Sequence, residues 1–75
     1  MQLPNKLFSY DESIISKFPL VLSALQKEPQ TVGSLYVKMQ KDISSINEFI
    51  EVLDALFALD RIIYDEEREV LYYVV

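Results

Sequence analysis

Apolar residues recur at spacings of three and four through most of this chain, then change period near its end. Over the first third the set is Ile14, Phe18, Val21, Leu22 and Leu25, the repeat of one helix face. Ser9 and Glu12 have capping-box spacing, and Asp11 is an alternative N-cap with Tyr10 and Ile15 in staple positions. Pro19 interrupts the run. A proline there removes one backbone bond and clashes with the carbonyl of Ile15. The pattern therefore predicts either a kink or a short turn before a main helix starting at Pro19. Pro29 ends the element, because it biases Glu28 away from helical geometry. Ahead of all this, Pro4 biases Leu3 towards an extended conformation, so residues 1–8 read as an extended arm.

Thr31 is placed to cap a second helix with Val32, Leu35, Tyr36 and Met39 on its buried side. The only glycine, Gly33, falls in the first turn, where it costs little and leaves room for close packing. A turn around Lys41 to Ser44 leads to a third helix, the strongest pattern in the chain. Ser45 and Glu48 have capping-box spacing, and Ile46, Phe49, Ile50, Leu53, Leu56 and Phe57 repeat at threes and fours. Val52 and Leu59 widen the apolar arc, while Asn47, Glu51, Asp54 and Ala58 mark the solvated side. So wide an arc predicts a helix central to the core.

The tail reads as strand. Ile62 to Tyr64 form one short strand, Asp65 to Arg68 a polar turn without glycine, and Val70 to Val75 a second strand rich in β-branched and aromatic residues. Three helices followed by a β-hairpin make an α+β fold, the winged helix-turn-helix arrangement with the hairpin as wing. Seventy-five residues leave room for one such domain spanning 1–75.

Composition narrows the chemistry. Without Cys or His, the chain lacks the usual zinc ligands, thiol nucleophiles and imidazole bases. One glycine cannot build a phosphate-cradling loop. Asp65, Glu66, Glu67 and Glu69 cluster in sequence, but without the spacing of a calcium loop they read as a solvated turn. No enzyme activity, metal or cofactor is expected. Residues 1–6 lack the apolar stretch of a secretory leader, and no run approaches membrane-spanning length. A cytoplasmic protein is the expectation.

Charge bears on partners. The net charge is −5, and residues 43–60 carry four acids and no base. In DNA-reading domains of this arrangement the second helix of the motif enters the major groove with basic or amide side chains. The corresponding helix here offers Asn47, Glu48, Glu51 and Asp54. Three of those four repel phosphates. Lys38 and Lys41 on the preceding segment supply too little charge for more than weak, salt-sensitive binding. A DNA-binding regulator is the alternative this disfavours.

Protein binding fits better. The last strand is apolar on both faces, with Leu71, Tyr73 and Val75 one way and Val70, Tyr72 and Val74 the other. A lone hairpin covers only one face against three helices. The other face, or the open strand edge, is then available to a partner or to a second copy in a homodimer. The residues assigned to protein binding are Leu3, Pro4, Asn5 and Lys6 of the arm, with Val70, Tyr72, Tyr73 and Val74 of the strand. Tyr72 and Tyr73 suit an interface as large amphipathic side chains.

Several segments resemble a known family. They are Leu3-Pro4-Asn5-Lys6, then Pro29-Gln30-Thr31-Val32 with Leu35-Tyr36, then Phe49-Ile50 leading to Leu53-Asp54-Ala55-Leu56-Phe57-Ala58-Leu59 and Ile62. Together they are similar to the short middle components of ABC-three-component systems, which overlap the Lamassu group of bacterial anti-phage and anti-plasmid defence. Where that family often has Gly at the end of its third helix, this chain has Asp60. The resemblance implies a non-catalytic winged-helix adaptor that sits on an SMC-like ABC ATPase and couples it to an effector, often a nuclease.

Overall fold

The computed structural model describes residues 12–74. The proposed arm over 1–8, the Ser9 cap and the Asp11 cap lie outside them. Four helices precede a hairpin: α1 (Glu12–Ile15), α2 (Phe18–Lys27), α3 (Val32–Met39), α4 (Ile46–Ala58), β1 (Ile62–Asp65) and β2 (Val70–Tyr73). The first helix of the sequence pattern is thus split into α1 and α2, and α3–α4 is the helix-turn-helix pair. This is the winged-helix-like α+β layout that the periodicity predicts.

Pro19 accounts for the split. Of its two predicted consequences, the short turn is the one observed, at Ser16 and Lys17, and α2 starts at Phe18, one residue early. The proline falls in the first turn of α2, where its missing N–H has no intrahelical partner to lose. Ile14, Val21 and Leu25 are buried from these two helices, with Phe18 and Leu22 packed at the margin. Beyond Lys27, Glu28 is extended at φ −169°, as the following Pro29 requires.

Thr31 caps α3, its hydroxyl accepting from the Ser34 N–H at 3.1 Å. Leu35 and Met39 enter the core, but Val32 is exposed, contrary to the sequence reading. A cap residue fixes where the helix starts, and Val32 is then left outside the contact with α4. A side chain at Gly33 would meet nothing within 4 Å, so that glycine serves no close approach. Ser45 caps α4 by accepting from the Glu48 N–H at 3.1 Å. The return half of the capping box is displaced by one residue. The Glu48 carboxylate accepts from the N–H of Ser44 at 2.8 Å rather than from Ser45.

The core is built around α4, whose Phe49, Val52, Leu53, Ala55 and Leu56 are all buried. The Phe49 ring meets Tyr36 of α3 at a centroid distance of 5.0 Å and 52°, a tilted aromatic pair. The end of α4 is a Schellman turn: Arg61 N–H donates to Leu56 at 2.9 Å and Asp60 N–H to Phe57 at 3.0 Å. That places Asp60 at φ +60°, a conformation glycine adopts without strain. Asp60→Gly is expected to stabilise the domain by about 0.5–1 kcal/mol, readable as a rise in urea midpoint at constant slope. A lower midpoint would mean that the Asp60 side chain itself stabilises the turn.

β1 and β2 pair antiparallel, with Ile62 opposite Tyr73, Ile63 opposite Tyr72, Tyr64 opposite Leu71 and Asp65 opposite Val70. β1 runs one residue further than the sequence pattern suggests, so the turn is 66–69. Its last residue, Glu69, supplies the φ of +60° that the missing glycine would have given. Gln30, between α2 and α3, adds a one-residue bridge to the far edge of β2. Its N–H donates to Leu71 at 3.2 Å and its carbonyl accepts from Leu71 at 2.7 Å. The far edge of β2 is therefore taken at Leu71, and among the described residues no strand pairs with the other edge of β1.

Candidate functional site

Alternation along the hairpin sorts its side chains. Ile62, Tyr64, Leu71 and Tyr73 share the inner face, and Ile63, Asp65, Val70 and Tyr72 the outer one. Ile62 and Leu71 are fully buried and Tyr73 packs against the core. Of the strand residues assigned to protein binding, Tyr73 is thus engaged inward, while Val70 and Tyr72 stand on the outer face. Val74 continues the alternation on that face, half-buried, with its N–H bonded to the Arg61 carbonyl at 2.9 Å. Leu3, Pro4, Asn5 and Lys6 lie outside the described residues.

The outer face is organised by the wing turn. Asp65 Oδ1 accepts from the N–H groups of Glu67 at 2.9 Å and Arg68 at 3.3 Å. Tyr72 donates its hydroxyl to Asp65 Oδ2 at 3.3 Å and accepts from Arg68 Nη1 at 3.2 Å. The Arg68–Asp65 ion pair is long, 4.0 Å, with Arg68 largely solvated, so it contributes little. This web holds the Tyr72 side chain on the outer face opposite Ile63, which is 54% exposed. The Asp65 carboxylate is engaged by the turn itself. Among the described residues no three acidic side chains converge on one point.

The edge of β1 is the second feature. Leu71 turns its N–H and carbonyl towards Gln30. In an antiparallel ladder the backbone groups alternate between inward and outward. Val70 and Tyr72 therefore bond across to β1, and the opposite positions Ile62 and Tyr64 direct their own N–H and carbonyl groups to the open edge. Beside that edge lie the exposed Ile63 and Tyr64.

The third feature is on α4. Ile46, Ile50 and Phe57, expected in the core, are 48%, 48% and 37% exposed. Three short neighbouring elements bury only one side of a helix, and the side they take is Phe49, Val52, Leu53, Ala55 and Leu56. Asn47, Glu51 and Asp54 are exposed as expected, whereas Glu48 is half-buried and committed to Ser44. The helix thus offers solvent a mixture of apolar and acidic side chains, without a base.

Sequence reasoning missed Ile63, Ile46, Ile50 and Phe57 as surface residues. Alternation within β1 carried the signal for Ile63, because a buried Ile62 puts its neighbour out. For α4 the signal was the arc itself, which is wider than one buried face.

Among the described residues no pocket is enclosed, and no helix is long and apolar enough to cross a membrane. A family model described as ABC-three component (ABC-3C) system Middle Component 7 matches residues 3–71. Neither a curated protein nor a solved structure matches the chain.

Proposed function

Because the chain belongs to the Middle Component 7 family of ABC-three component systems, we propose that it is their non-catalytic adaptor, a cytoplasmic winged-helix subunit that binds an SMC-like ABC ATPase and links it to an effector in defence against phage or plasmids. In this reading ATP turnover and any cleavage belong to the partners. The wing is the docking element. The observation that carries the reading is the outer wing surface, where exposed Ile63 lies beside Tyr72 and the open edge of β1. An exposed apolar strand at a free edge is a ready template for another chain, and a tyrosine whose hydroxyl is already satisfied adds a rigid contact at little entropic cost.

The test is co-purification from cells expressing this chain with its two neighbouring components. The ATPase subunit is expected to follow the chain. Ile63→Lys should lower its recovery about tenfold or more, since a buried unpaired charge at an interface costs more than about 1.4 kcal/mol. The same change should leave the melting temperature of the isolated chain unchanged, because Ile63 lies outside the core. Recovery of no ATPase, or equal recovery with Ile63→Lys, would remove the wing as the docking element.

A further inference from the structure

An adaptor joins two partners, and a wing that engages one leaves the other to be placed. Resting on that reading, we infer that the outward face of α4 is a second docking site, and that its occupant is a basic amphipathic helix of another polypeptide in the assembly.

The surface has the form such a helix requires. At about 100° per residue, Ile46, Ile50 and Phe57 fall within roughly 40° of one another. They form a ridge about 16 Å long, close to three turns, with Leu53 at its inner margin. Exposed isoleucine and phenylalanine at i, i+4 and i+11 make the row that packs into the groove of a crossing helix. Along one side of the ridge run Asn47, Glu51 and Asp54, all exposed.

Charge selects the occupant. Residues 43–60 carry Glu48, Glu51, Asp54 and Asp60 and no Lys or Arg, so the strip beside the ridge has one sign throughout. A second copy of this chain docking α4 against α4 would set Glu51 and Asp54 near their own kind, and like charges across an interface are costly. A duplex would meet the same repulsion from its phosphates and would gain nothing from isoleucine. A helix with an apolar stripe flanked by Lys or Arg satisfies both rows together: apolar side chains cover the ridge, and the bases lie over the carboxylates. The element that reads bases in other helix-turn-helix domains here presents the complement of a positively charged helix.

The test uses the chain inside the system co-expressed with its neighbouring components. A photoreactive benzoylphenylalanine replaces Ile50 in one preparation and Ile63 in another, and the cross-linked peptides are sequenced by mass spectrometry. From position 50 the expected product is a peptide of another subunit with an excess of Lys and Arg and apolar residues three and four apart. Adding Glu51→Lys and Asp54→Lys should lower that yield about tenfold or more while leaving the yield from position 63 intact. A thermal melt of each variant confirms that it is folded, as expected for exposed positions.

Cross-links from position 63 but none from position 50 would overturn the α4 site and leave the wing standing. So would a product from position 50 joined to residues 1–11 of the same chain, to a second copy, to DNA, or to a segment without basic excess. Yields unmoved by the double charge reversal would also overturn it. Loss of cross-linking at both positions would remove the adaptor reading itself.

Discussion

Phe49→Ala is expected to leave the domain largely unfolded at physiological temperature, whereas Phe57→Ala in the same helix leaves it folded. Phe49 is 1% exposed, sits at the centre of the core and pairs with Tyr36. Truncating a buried phenylalanine costs about 3–5 kcal/mol through lost burial and a residual cavity, and the aromatic pair adds about 0.5–1.5 kcal/mol. A chain of this length has a total stability on the order of 4–11 kcal/mol, so the loss consumes most of it. Phe57 is 37% exposed and lies outside the buried core, and its removal should cost about 1 kcal/mol, or roughly 4–8 °C in melting temperature. Circular dichroism melts of the two variants separate the outcomes. Equal losses would mean that α4 turns a different face to the core, and the exposed ridge would disappear with it.

Gln30→Ala should cost about 1–3 kcal/mol, more than its position in a loop suggests. Gln30 is the one buried polar residue among those described. Its Nε2 donates to the Ala24 carbonyl at 3.2 Å, and its Oε1 accepts from the Ser34 hydroxyl at 3.2 Å. Ala24 is four residues before the extended Glu28, where a helix carbonyl has lost its intrahelical donor. The Gln30 side chain therefore closes the end of α2 and ties it to the start of α3, while the Gln30 backbone pairs with Leu71. Ser34→Ala removes only one of these bonds and should cost about 0.5–1.5 kcal/mol. Urea titrations of the two variants rank them, and a ranking with Ser34→Ala the more harmful would contradict this role for Gln30.

These two residues mark how far the sequence could be read. Local signals survived intact. The cap at Thr31, the cap at Ser45, the break at Pro19 and the change of period at Ile62 each act within a few residues, so their consequences needed no knowledge of the rest of the fold. The direction of the α4 face did not survive. Periodicity shows that Ile46, Phe49, Ile50 and Phe57 all lie on an apolar arc, but which part is buried depends on which elements reach the helix, and among the described residues α1, α3 and β1 are the main ones. Gln30 was invisible for another reason. A single-residue bridge has no period, and a glutamine between a proline and a threonine reads as an ordinary loop. Asp60 and Glu69 hid two left-handed turns behind residues that usually avoid them.

For the docking surfaces, the outward assignment of Val70 and Tyr72 followed from simple alternation, and Tyr73 proved to serve the core. Which strand carries the open edge was not legible, because it depends on Gln30 bridging to Leu71 of β2, a long-range pairing that no local pattern announces. The sign of the α4 surface, in contrast, was legible at once, since it depends only on which charged residues the segment contains.

Amide hydrogen exchange of this chain, alone, with its neighbouring components and with duplex DNA, bears most directly on whether the domain grips polypeptide. Ile62 and Tyr64, whose N–H groups point from the free edge of β1, are the reporters. Slowed exchange at both on adding the components, with none on adding the duplex, is the expected result. Unchanged exchange there with the components present, together with protection along α4 when only the duplex is added, would contradict it.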